Sequence, residues 1–120
     1  MSQKLLRYLF LIALIAQLTS AKALTIPVIT ALDNVSGSLR LVVAAAAPGD
    51  TISFDAALNG VAVILTGSEI SIDKSLTIVG NGSSNTVISA NGLSRIFSVT
   101  GGASVVIHDL TLSNGSSSGS

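Results

Sequence analysis

The chain has 120 residues, no cysteine, one histidine, 10% charged residues and a formal net charge of zero. That length holds one domain at most. The missing cysteines exclude a disulfide framework and thiol chemistry, and a single histidine leaves nothing to build structural zinc from. With 3% aromatic residues and no basic cluster, nucleic-acid binding has no footing.

Residues 1–23 read as a secretory signal peptide. Lys4 and Arg7 give a basic start, residues 9–18 form an apolar run broken only by Gln17, and Ala21-Lys22-Ala23 is a small-x-small cleavage pattern. The run is shorter than the roughly 20 residues that cross a bilayer, which argues against an uncleaved anchor. Cleavage is expected after Ala23. The mature chain then keeps Arg40, Lys74 and Arg95 against Asp33, Asp50, Asp55, Glu69, Asp73 and Asp109, a net charge of 3 − 6 = −3.

Residues 24–50 read as an extended leader followed by a cap helix. Pro27 confines the leader to an edge or non-strand role. Leu39, Val42, Val43 and Ala46 recur at i, i+3, i+4 and i+7, one face of a helix. Ser38 is placed to cap its start and Pro48-Gly49 to stop it.

From Thr51 the period changes to alternation. Short strands are expected at 51–54, 61–65, 70–72, 76–78, 86–88, 96–99, 105–107 and 110–112. Breaks fall at Asn59-Gly60, Thr66-Gly67, Gly80-Asn81-Gly82, Asn91-Gly92, Gly101-Gly102 and Asn114-Gly115. Glycine and asparagine tolerate the positive φ that sharp changes of direction need.

One phrase occurs twice: SLTIVGNG at 75–82 returns as DLTLSNG at 109–115, with Leu76 and Leu110 separated by 110 − 76 = 34 residues. An echo of short strands and Gly/Asn turns points to a stacked repeat rather than an antiparallel sandwich. The expected fold is all-β, a right-handed parallel β-helix (solenoid) whose first coils span 51–115 beneath the cap helix. The echo predicts inward stacks of Ile70 on Val105, Ile72 on Ile107, Leu76 on Leu110 and Ile78 on Leu112. Residues 116–120 read as a truncated Ser/Gly tail. Fewer than three complete coils precede it, so the chain is expected to be the N-terminal piece of a longer protein or a truncated gene product.

The stretch Ser38-Leu39-Arg40, followed at 47–55 by APGDTISFD, resembles the N-terminal "CSLREA"-type segment of bacterial exported β-helix proteins. That group includes polymorphic outer-membrane-protein-like and pectin-lyase-like surface proteins. KSLTIVGNG at 74–82 and VVIHDLTLSNG at 105–115 stand where the group carries its next two coils. The likeness covers about two-thirds of the chain, from Ser38 to Gly115. It departs at Gly37, where the group has cysteine, and at Leu41-Val42-Val43, which is more aliphatic. The resemblance implies a passive, adhesin-like surface protein, secreted or held at the cell surface. Outer-membrane association and carbohydrate or host-surface ligands bound through downstream coils are compatible with it; it names no ligand and no oligomeric state.

An alternative is a polysaccharide lyase or glycoside hydrolase of the pectin-lyase-like fold, with its active-site coils downstream. Such enzymes need clustered carboxylates for Ca²⁺, or paired carboxyls at defined separation. Here the acids stand singly. Glu69 and Asp73 flank one strand and, with Lys74 adjacent, read as a solvated surface pair. His108-Asp109 is the sharpest candidate, since a carboxylate can orient an imidazole, but the echo aligns it with the turn at 73–75, where polar residues face water. Arg40 is expected to bond carbonyls at the open end of the first coil rather than an anionic sugar. Asn81, Asn91 and Asn114 are expected to stack as an amide ladder, and the sequons at Asn34, Asn81 and Asn114 matter only in a eukaryotic secretory host. No catalytic, cofactor-binding or metal-binding residue is assigned, and no cofactor is expected.

Overall fold

The computed structural model describes residues 22–117; most of the proposed signal peptide, and the tail from 118, lie outside the described residues. The described chain is mostly β-strand with one short helix. Its elements are β1 (Thr25–Val28), α1 (Leu39–Ala45), β2 (Thr51–Phe54), β3 (Val61–Ile64), β4 (Ile70–Ile72), β5 (Leu76–Val79), β6 (Thr86–Ser89), β7 (Phe97–Val99), β8 (Val105–His108) and β9 (Thr111–Ser113). A single 3₁₀ turn at Ala56–Leu58 lies between β2 and β3.

Three parallel sheets hold the strands, in the orders β1-β2-β5-β8, β3-β6-β9 and β4-β7. From β2 onward the chain visits the first, second and third sheets in turn and then returns. Each return places a strand beside its predecessor in the same sheet, as the next tier. Period-2 alternation decides which way side chains point. In β2, Ile52 and Phe54 are buried while Thr51 and Ser53 are half-buried on the other face. The register sets Ile26, Ile52, Ile78 and Ile107 side by side across four strands. Ile52 and Ile78 are fully buried in this column.

The register corrects the stacks read from the echoed phrase. Ile70 lies opposite Phe97, Ile72 opposite Val99, Leu76 opposite Val105 and Ile78 opposite Ile107. Leu112 lies opposite Ile88. The two copies of the phrase therefore sit in different sheets, the first in β5 and the second in β9. The tier offset is not 34 but runs from 111 − 87 = 24 at Val87↔Thr111 to 105 − 76 = 29 at Leu76↔Val105. Both copies spell a short apolar strand ending in a Gly/Asn turn, a chemistry that every sheet can use.

Helix α1 forms where its apolar spacing predicts. Leu39, Val42, Val43 and Ala46 are all buried. Ser38 sits in extended conformation at the N-cap, its hydroxyl accepting from the Leu41 N–H. The helix packs against β1 and β4, each at the edge of its sheet, and shares one core with Val28, Ile52, Phe54 and Ile70. At its other end the Lys74 ammonium donates to the carbonyls of Ala44 and Ala46, the cation-to-C-terminus contact that the helix dipole favours. β1 lies in the first sheet, with Pro27 on an edge strand where its missing N–H costs no ladder bond.

Burial thins along the chain. Strands β7, β8 and β9 form the far edges of the three sheets, and inward-facing Val99 and Leu112 there are 47% and 45% exposed. Gly80, at the turn after β5, is required by close approach: a Cβ would fall on the Asp109 carbonyl oxygen and within 2.7 Å of the Leu110 Cβ.

Position along the Ile column should decide mutational cost. Ile78→Ala is expected to lose about 2–5 kcal/mol by leaving a cavity between two tiers. Val106→Ala, on the outer face of the same sheet and 52% exposed, is expected to stay within about 0.5 kcal/mol. Urea midpoints of the two variants check the difference; equal midpoints contradict the register.

Candidate functional site

The densest polar constellation joins the leader loop, α1 and the loop between β3 and β4. Asp33 is its anchor. The Arg40 Nε donates to Asp33 Oδ1 at 2.9 Å and Nη2 to Oδ2 at 3.0 Å, a two-point fork. Oδ2 also accepts from the Thr66 N–H at 2.9 Å and the Thr66 hydroxyl at 3.3 Å. The guanidinium then reaches the β3–β4 loop, donating from Nη1 to Ser68 Oγ and the Glu69 carbonyl and from Nη2 to the Ser68 carbonyl. Five N–H groups make five bonds, the whole donor capacity of an arginine. Nothing is left for an external anion. The Arg40 hydrogen bond first, with help from the Thr66 and Asn34 amides and the guanidinium charge, holds the Asp33 carboxyl below its ordinary value of 3.8 against the opposing effect of burial.

Glu69 continues the cluster to the next tier. Its Oε1 accepts from Arg95 Nη2 at 3.1 Å, and its Oε2 lies 2.8 Å from Arg95 Nε, a charge contact without hydrogen-bond alignment. The expected Glu69, Asp73 and Lys74 group does not form: Glu69 turns to Arg95, and Lys74 turns to α1. Beside the Glu69–Arg95 pair lies an open groove of about 510 Å³, lined by Gly67, Ser68, Leu93, Ser94, Ser116 and Ser117 as well as the pair itself. Its chemistry is hydroxyls and one exposed ion pair.

Asp50 is a second structural carboxylate. It is buried, and its two oxygens accept from the N–H groups of Leu24 and Ala47, each at 2.9 Å. Those two bonds, Leu24 first, pull its pKa below 3.8, with a smaller contribution from the Lys74 charge. It ties the start of β1 to the exit of α1. Sequence reasoning counted Asp50 only as a scattered acid; the Pro-Gly-Asp turn before a strand was the available signal.

His108 and Asp109 do meet, Nδ1 to Oδ2 at 2.8 Å, with side chains 49% and 65% exposed. His108 ends β8 opposite Val79, so the pair sits beside Gly80 and not at the turn matching 73–75. Asp109 takes a positive φ of 60°. The pair orients an imidazole toward solvent, with no nucleophile bonded to it among the described residues. The three asparagines form no ladder either. Asn81 donates to the Phe54 carbonyl and to Asn59 Oδ1, whereas Asn114 donates to Ser89 Oγ. The tier offset explains this, since residues must share a sheet position to stack.

Among the described residues no three His, Asp or Glu side chains stand close enough to hold a metal ion, and no helix is long and apolar enough to cross a membrane. Comparison with known proteins finds no matching family model, no similar curated protein and no similar solved structure.

The Asp33–Arg40 knot should register in stability. Arg40→Lys keeps the charge but loses the fork, and is expected to cost about 1.5–3 kcal/mol, the scale of hydrogen bonds to charged groups. Asp33 and Asp50 are both lowered relative to the unfolded chain, so what they contribute is fully present above the ordinary aspartate range and lost as pH falls through their folded-state values. The melting temperature should hold from neutral pH to that range and fall below it. Asp33→Asn should flatten part of the fall, and an unchanged acid limb would contradict the assignment.

Proposed function

We propose that the chain is a non-enzymatic, exported surface scaffold, an adhesin-like right-handed parallel β-helix in which α1 caps the first coil. The observation that carries this reading is where the ionic groups go. Arg40, Lys74, Asp33 and Asp50 are all engaged with backbone or with each other, holding loops and strand ends. The cyclic order of parallel strands through three sheets supports the β-helix, as does the resemblance of the segments at 38–55, 74–82 and 105–115. Outward positions Thr51, Ser53 and Thr77 give the first sheet a small, hydroxyl-rich lateral stretch, suited to carbohydrate or cell-surface ligands. Export rests on the basic start, apolar run and cleavage box of residues 1–23.

Expression with the leader intact in a Gram-negative host tests the reading. The expected product begins at Leu24 and is found outside the inner membrane, with a far-UV spectrum dominated by β-structure. Cytoplasmic protein retaining residues 1–23 rejects export. Release of unsaturated or reducing ends from polygalacturonate rejects the scaffold in favour of an enzyme.

A further inference from the structure

The start of β1 meets a prepared carboxylate. Leu24 N–H donates to Asp50 Oδ1 at 2.9 Å, while Asp50 Oδ2 accepts from the Ala47 N–H, also at 2.9 Å. Both sides of the contact are fixed by the ladder. The Leu24 carbonyl accepts from Thr51 N–H at 2.8 Å, and β1 then runs in register with β2 from Thr25↔Thr51. Asp50 donates its own N–H to the Ala47 carbonyl and accepts from Thr77 N–H in the next tier, each at 3.1 Å. Asp50 is buried, whereas the chain arriving at it, Lys22 to Leu24, is exposed.

The expected cleavage of the leader falls at this same nitrogen. Hydrolysis of the Ala23–Leu24 bond adds water: the C–N bond breaks, Ala23 leaves with a carboxylate, and the Leu24 nitrogen takes up a proton to become an ammonium. A neutral amide 2.9 Å from a carboxylate is thereby replaced, in place, by a cation. Coulomb attraction between full charges then adds to a bond that a peptide dipole made before. Leu24 is 61% exposed, so water can accept the two hydrogens not aimed at Asp50. That reduces the desolvation cost that burdens a fully buried ion pair.

We infer that Asp50 is the receptor for the chain's own new N-terminus. The α-ammonium left on Leu24 by removal of residues 1–23 pairs with Asp50, and cleavage tightens β1 and the exit of α1 in one step. Resting on the export reading and its cut after Ala23, this pairing makes the processed chain more stable than its precursor. It also makes the fold sensitive to where the cut falls. An N-terminus at Ala23 carries its charge one residue, about 3.8 Å, along the chain. One at Thr25 lacks the donor altogether.

All strands and the helix lie within residues 25–113, so each of these cuts leaves the complete set. The test uses the full chain, made with a site-specific protease sequence directly before Leu24 and melted before and after cutting in solution. The cut is expected to raise the melting temperature by about 4–8 °C, the scale of one strong interaction in a domain of this size. Moving the cut to leave Ala23 or Thr25 first should give no such rise. No change on cutting before Leu24 overturns the receptor. An equal rise with Ala23 first overturns it too, since loss of the leader alone then accounts for the gain. Asp50→Asn keeps an acceptor without the charge, and the rise should vanish in it; a rise of the same size overturns the pair.

The pH dependence needs no variant. A neighbouring carboxylate raises an ammonium above the free α-amino range of about 7.7–8.0. The advantage of the Leu24-first product over the Ala23-first product should therefore be complete below about pH 8 and lost as pH rises through the raised value. Lys74, whose charge also bears on Asp50, is present in both products and drops out of the difference. An advantage that persists undiminished at about pH 11, well above any paired α-amino group, overturns the pair. The first residue of the exported product decides the cleavage reading. The cut in solution decides the receptor whatever that residue is, so the two fail separately.

Discussion

Everything in this molecule depends on parallel strands keeping register from one tier to the next. A strand of three or four residues cannot satisfy its own backbone groups, and each N–H and C=O left without a partner costs about as much as a lost hydrogen bond. Here the partner is the same sheet position of the neighbouring tier, as where Thr77 N–H reaches the Asp50 carbonyl and Leu65 N–H the Ser89 carbonyl. Register also decides the core. A slip of one residue would turn Ile52 and Ile78 outward and put Thr51 and Thr77 inside. With no cysteine to staple the tiers, the backbone ladders and the aliphatic columns carry the fold together.

The ionic groups serve that register at its weak points. Strand interiors need no help, but the leader loop, the exit of α1 and the β3–β4 loop lack ladder partners. Asp33, Arg40 and Asp50 supply them. Each places charge-assisted bonds on backbone groups more than twenty residues away in sequence. Lys74 does the same for the last carbonyls of α1. A side chain whose donors are all used internally is poor equipment for catalysis, and this links the electrostatics to the scaffold reading.

Local features were legible in the sequence, and tier-to-tier features were not. The buried face of α1, its Ser38 cap and the positions of most strands follow from periodicity and turn residues, which are properties of a few neighbouring residues. The stacking partners, the Glu69–Arg95 pair and the Asn59–Asn81 contact depend on how many residues each turn consumes. The echoed phrase offered a period, and it misled because sequence likeness between two strand–turn units does not say which sheet each belongs to. Asp50 was overlooked for a related reason: its two donors, Leu24 and Ala47, come together only when β1 joins the sheet.

The turn lengths show why no fixed period exists. Between the first and second sheets the link spans 55–60 after β2, 80–85 after β5 and only 109–110 after β8. Between the third sheet and the first, it lengthens from 73–75 to 100–104. Strand lengths barely change over the same tiers. The ladder therefore constrains strands tightly and turns loosely, and only the strands must repeat. A turn that shortens, as at Asp109-Leu110, needs positive φ and presses on the tier below, which is why Gly80 has no room for a side chain. A turn that stays long, as at 65–69 and 90–96, spreads serines and the Glu69–Arg95 pair around an open groove. Variation in surface chemistry is thus confined by the ladder to the turns, and a surface scaffold would diversify its contacts there without disturbing the Ile column.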